Sequence, residues 1–117
     1  MRVTLASLLA MLIAACGPHS PSPTQGDADN GRLLLRQFGC GACHVIPGVA
    51  SAQGRDGPPL DGIARRAYLA GLLPNTPQNL SRWIRDPQSI DPRTLMPDLS
   101  VSDAHARDIV AYLYTLR

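Results

Sequence analysis

Cys40-Gly41-Ala42-Cys43-His44 sets two thiols three positions apart and puts an imidazole on the next residue. Thiols at this spacing can cycle as a redox dithiol, close a small disulfide, share a zinc ion or form two thioether bonds. A redox dithiol would want a strand–turn–helix setting, and no strand-like run precedes Cys40. Zinc needs four protein ligands, whereas beyond this cluster the chain offers His105 and scattered Asp without a second pair. A disulfide between Cys40 and Cys43 would close too small a loop to stabilise much. The histidine that follows directly singles out the fourth chemistry, because C-x-x-C-H is the pattern of c-type haem attachment. Two sulfurs at this separation match the two vinyl groups of the porphyrin, and His44 then brings an imidazole beneath the iron. Gly41 and Ala42 are small, which leaves room for the macrocycle against the backbone.

A second axial ligand follows by elimination. Once an N-terminal signal is removed the chain keeps one methionine, Met96, which stands 52 residues after His44 in Thr94-Leu95-Met96-Pro97. Pro97 restricts Met96 to extended backbone, so its thioether is displayed from a loop. The rival is His105, which would make a bis-His haem of lower potential. Met96 as plain core filling is the other alternative, since a thioether packs well anywhere.

The elements that must hold these groups read as helices. Asp29-Asn30 can cap a short helix through residue 38 with Leu34, Leu35 and Phe38 on one side, leading straight into Cys40. Thr76-Pro77 starts a second helix carrying Leu80, Trp83 and Ile84 that stops before Pro87. Ser100-Val101-Ser102-Asp103 resembles a capping box ahead of a final helix whose apolar face is Ala106, Ile109, Val110, Leu113 and Leu116. No pair of alternating strands is evident, so the predicted class is all-α. The Gly- and Pro-rich stretch Gly54-Arg55-Asp56-Gly57-Pro58-Pro59 reads as a long loop that contacts the cofactor.

Residues 1–15 have a positive start and a short apolar run, the shape of a cleaved signal peptide and too short to span a bilayer core of ~30 Å comfortably. Ile13-Ala14-Ala15-Cys16 resembles the lipobox of bacterial lipoproteins, which makes Cys16 the lipid-bearing first residue after cleavage. Residues 16–28 are rich in Pro, Gly and Ser and read as a flexible linker, with His19 solvated in it. Residues 29–117 form the domain. All eleven cationic residues are Arg and all nine acidic residues are Asp, so the balance is nearly neutral and no basic field suits nucleic acid. The aromatic fraction is only 4%, and a porphyrin would supply the flat apolar bulk the side chains lack.

Taken together these motifs resemble class I cytochromes c over about residues 27–117. The resemblance implies a small fold of three to five short helices packed around one haem c, bound through Cys40 and Cys43 and ligated by His44 and Met96. It implies that the carbonyl of Pro58, in Gly57-Pro58-Pro59-Leu60, orients His44, and that Arg66 and the Trp83 indole lie at the haem propionates, with Arg65 an alternative to Arg66. It also pairs Tyr112 with Gly31 across the first and last helices. Gly31 precedes Cys40 by nine residues, one more than in the mitochondrial pattern, and no Lys ring exists for docking; both departures fit bacterial members. The stretch through Asn75-Thr76-Pro77, Trp83-Ile84-Arg85-Asp86-Pro87 and Met96-Pro97 is similar to haem domains fused to subunit II of some bacterial cytochrome oxidases.

The implied function is a one-electron carrier of a respiratory chain, lipid-anchored in the periplasm or on an outward membrane face, with a terminal oxidase as acceptor and no small-molecule substrate. Two alternatives remain: a haem enzyme or gas-binding protein with an open distal position, and a permanent haem subunit of a dehydrogenase or oxidase complex.

Overall fold

The computed structural model describes residues 24–117. The expected signal peptide, Cys16 and His19 lie outside the described residues.

Four α-helices, two 3₁₀ turns and one minimal hairpin make up the domain, in the order α1 (Ala28–Gln37), α2 (Pro77–Arg85), α3 (Pro87–Ile90) and α4 (Asp103–Leu113). Helix α1 begins slightly ahead of its expected cap. Asp27 is the N-cap, and its carboxylate accepts from the amides of Asp29 and Asn30. Residues 24–26 just before it are bent and lie against α4, because a side chain on Gly26 would run into the Arg107 carbonyl. Helix α2 starts as the sequence indicates, with the Thr76 hydroxyl accepting from the Asn79 amide and Pro77 in the first turn, where a missing N–H costs nothing. Asp86 ends α2 and caps α3 through the Ser89 amide. The cap of α4 is Ser102, which accepts from His105 N, two residues later than the capping box starting at Ser100 would have it. Asp103 therefore does not fold back on the cap; its carboxylate meets Arg85 and Arg107 instead.

The core is built where α1 crosses α4, the most extensive helix–helix contact of the domain. Leu34 and Leu35 meet Ile109, Val110 and Leu113 there, with Leu80 and Ile84 of α2 in the same cluster. Gly31 makes the crossing possible: a Cβ at this position would overlap the carbonyl of Asp108 in the α4 backbone. The Tyr112 hydroxyl donates to Pro47 O at 2.7 Å, and a Cβ on Gly48 would meet it.

The strands the sequence did not reveal are Tyr68–Leu69 (β1) and Leu73–Pro74 (β2), paired antiparallel. Each is two residues long, too short for any alternation to register, and the turn between them holds Ala70 and Gly71 at positive φ. The end of the chain is fastened to this region. Tyr114 donates to the Asn75 amide oxygen at 2.9 Å, the Asn75 NH₂ reaches Ile63 O and Arg66 O, and Ala64 N donates to Leu116 O.

Candidate cofactor site

The chemistry-bearing segment begins where α1 stops. Gly39 adopts the left-handed conformation (φ 72°) and its amide bonds back to Arg36 O, so the chain turns sharply after Phe38. A 3₁₀ turn (Cys40–Ala42) follows, and the amides of both Cys43 and His44 return to Cys40 O. The two thiols are thus carried by one tight turn. Both are half-buried and neither is in a disulfide. Burial pushes the Cys40 thiol above the ordinary range, the opposite of the electropositive setting that activates a catalytic or redox thiol. Among the described residues no group of three or more His, Cys, Asp or Glu is placed to hold a metal ion, so these residues form no four-ligand zinc site.

The loop from Ala52 to Leu60 braces this turn from the other side. Gly54 N donates to Gly41 O, Gly57 N to Cys43 O and Leu60 N to Val45 O. Each contact is a close backbone approach. A Cβ on Gly41 would meet the Ala52 backbone, one on Gly54 the Ala42 carbonyl, and one on Gly57 the His44 ring at 2.4–2.9 Å. Gly41 is therefore small for the sake of the loop behind it, a reason the sequence did not show.

His44 Nδ1 lies 2.7 Å from Pro58 O. A carbonyl oxygen only accepts, so Nδ1 carries the proton and Nε2 keeps its lone pair. Gly57 gives the ring its floor, the Pro58 carbonyl fixes its tautomer, and Nε2 is the nitrogen left to coordinate. The Arg66 guanidinium donates to Pro59 O and, at 3.0 Å, to Asp61 O, so it secures the two ends of the same loop just past Pro58. Arg66, expected at a propionate, is thus seen bracing this loop.

Met96 is half-buried and packs against the core cluster that Cys40 also borders. Its backbone is held at both polar atoms: Met96 N donates to the Thr94 hydroxyl at 3.2 Å and Met96 O accepts from Gln88 Nε2 at 2.7 Å. Gln88 and Thr94 were not foreseen from sequence. The Thr hydroxyl two residues ahead is a local turn motif that could have been read; the Gln88 contact depends on how α3 folds back and carries no local signal. His105, the rival ligand, packs its ring against Phe38, with centroids 5.8 Å apart. Trp83 on α2 is half-buried, and its indole N–H has no acceptor among the described residues.

Two unpaired thiols, an imidazole with one nitrogen committed and one open, a restrained thioether and an indole donor with no partner among the described residues fit haem c.

A family model described as Cytochrome c matches residues 28–117. The chain is 37% identical over 98 residues to a cytochrome c oxidase subunit 2 from Alkalihalophilus pseudofirmus, covering 81% of this chain and 27% of that protein. A cytochrome c oxidase subunit 2 from Bacillus sp. is 32% identical over 78 residues, covering 65% of this chain and 22% of that one. The chain therefore spans about a quarter of the length of these relatives. Cytochrome c-552 from Bradyrhizobium diazoefficiens is 28% identical over 106 residues, covering 91% of this chain and 90% of its own length.

Proposed function

Because the chain belongs to the cytochrome c family, we propose that it is a membrane-anchored monohaem cytochrome that passes single electrons along a respiratory chain to a terminal oxidase. It is a haem electron carrier, with haem c bound through Cys40 and Cys43. The observation that carries the finer reading is the imidazole of His44, fixed by Pro58 so that one nitrogen is free beside two unpaired thiols.

In this reading His44 and Met96 would hold the haem iron, and the bound group would supply a one-electron ferric/ferrous couple. The chain's own residues hold and tune it. Pro58 keeps His44 oriented, and Gln88 and Thr94 keep Met96 from swinging away. A thioether ligand favours the reduced state and raises the potential relative to other ligations. With both side chains so committed, the chain would offer dioxygen or peroxide no open position, as a carrier requires and an oxygen-handling enzyme does not. Trp83 and Arg66 donate to the propionates. Leu95, 93% exposed beside Met96, gives redox partners an uncharged surface for brief contact.

Cys16 carries the lipid that keeps the exported protein at a membrane surface, with the domain in the periplasm or on the outward face. The likeness to parts of oxidase subunits 2 supports an oxidase as acceptor, and it equally supports a second reading as a fixed haem subunit of such a complex.

Reduced holoprotein added to oxidase-containing membranes should be reoxidised in air, and cyanide should block this. Gentle solubilisation separates shuttle from subunit by what co-purifies. Absence of any cyanide-sensitive reoxidation, together with no oxidase in the co-purified material, would remove the oxidase as partner.

A further inference from the structure

The stretch 92–100, which carries Met96, is only loosely attached to the core. Seven of its nine residues are exposed, and only Thr94 and Met96 are half-buried. Its firm neighbours stand some way off: Pro87 is fully buried on one side and Val101 is buried on the other. Most hydrogen bonds in the stretch are local. Arg93 N donates to the Asp91 carboxylate, Thr94 N to Asp91 O and Ser100 N to the Asp98 carboxylate. The Thr94 hydroxyl that accepts from Met96 N sits two residues away on the same loop, so it shapes the loop and moves with it. Pro97 has no N–H with which to close a further turn.

Gln88 differs because of where it stands. Its Nε2 donates to Met96 O at 2.7 Å across eight positions of sequence, and this bond ties the loop to a helix. That helix, α3, is itself fixed. The Asp86 carboxylate accepts from Ser89 N and the Asp86 carbonyl from Ser89 Oγ, while Asp86 N donates to Arg82 O at the end of α2. Asp91 N closes the far end onto Pro87 O. A carbonyl only accepts, so the NH₂ of the Gln88 amide is the group that must face Met96. We propose that Gln88 is the positioning residue that keeps the distal side closed: it binds the Met96 peptide to α3, and without it the chain behaves as a haem protein whose distal position exchanges with outside ligands. The inference rests on the reading of Met96 as an axial ligand and adds what decides how firmly that ligand stays. One hydrogen bond on a loop with little else to hold it is worth roughly five-fold in the ratio of closed to open forms. Gln88 is exposed and fills no part of the core, so its replacement leaves the fold intact.

The test titrates the ferric holoprotein with imidazole and follows the absorption spectrum, because imidazole binds where Met96 has let go. Gln88→Leu, which has no donor, should tighten the apparent affinity for imidazole about five-fold. Gln88→Glu keeps the shape but at neutral pH offers only acceptors, and should tighten it at least as much. Gln78→Leu, the same change at an exposed glutamine of α2, should leave the parent value unchanged. Thermal melts of the same proteins without imidazole give the second readout: a residue that merely supports α3 would lower the melting temperature and leave the affinity unmoved. Parent affinity retained in both Gln88 variants, or equal tightening from Gln78→Leu, overturns the role of Gln88. Met96→Ala supplies the fully open limit. A parent that already binds imidazole as tightly as Met96→Ala overturns the ligand reading and this inference with it. A parent that resists imidazole, with Gln88 variants that resist it equally, overturns the inference alone.

Discussion

At Gly57 a single missing methyl group holds the proximal side of the site together. A Cβ there would occupy space taken by the His44 ring, so Gly57→Ala must push the imidazole off Pro58 O or open the loop. Gly57→Ala should therefore yield several-fold less holoprotein, or holoprotein of altered potential, read by haem staining of the denatured chain and by redox titration. Arg66→Ala tests a different link. Its guanidinium holds Pro59 O and Asp61 O, so its loss should loosen the loop carrying Pro58 and lower the melting temperature. A bare propionate contact would shift the potential without that loss. The motif Cys40, Cys43 and His44 was legible because haem attachment demands fixed residue types at fixed spacing. Gln88 was not, because its contact with Met96 O comes from tertiary placement that no local pattern records.

Between elements, α1 and α4 are clasped by a carboxylate as well as by their apolar faces. Asp108 accepts from the Asp27 amide at 2.8 Å and from the Asn30 side chain at 2.7 Å. These two hydrogen bonds hold its carboxyl below the usual carboxylate range, the Asp27 amide contributing most. A folded-state pKa below the unfolded one means stability that is fully present above the unfolded value, about 3.9, and is lost as pH falls through the lower folded value. Asp108→Asn should flatten the acid limb of the stability curve below about pH 4, checked by thermal melts of the holoprotein across that range. The Tyr112 hydroxyl ties α4 to Pro47. Tyr112→Phe should cost about 1 kcal/mol, from the net worth of one hydrogen bond. The helices themselves were legible from caps and apolar spacing; Thr76 and Pro77 act as read. The start of α4 was not, because Ser100 and Ser102 both precede acidic or polar residues at cap-like distances. Only the chain's positive φ at Ser100 (φ 54°) decides for Ser102. The tight approach at Gly31 was not legible either, because Gly31 accommodates α4 backbone, which no side-chain pattern announces.

For the molecule as a whole, a core drawn from three helices and long loops is small, and a domain of this size leans on its cofactor for stability. Cys40→Ala with Cys43→Ala, which prevents covalent attachment, should leave the chain largely unfolded by circular dichroism, while the holoprotein melts cooperatively. Three of the four helices were foreseen, within an expected three to five, because their caps and apolar periodicity are local signals, whereas α3 (Pro87–Ile90) is too short to show a period. The hairpin Tyr68–Leu69 with Leu73–Pro74 was not, being too short to show a period. The whole account depends on iron held by His44 on one side and Met96 on the other. The most direct measurement is the absorption spectrum of the reduced holoprotein and of Met96→Ala, each with and without carbon monoxide. The parent spectrum should not respond to carbon monoxide, and the variant should bind it and show a lower reduction potential. A parent that binds carbon monoxide, or a variant indistinguishable from it, would contradict Met96 as the distal ligand.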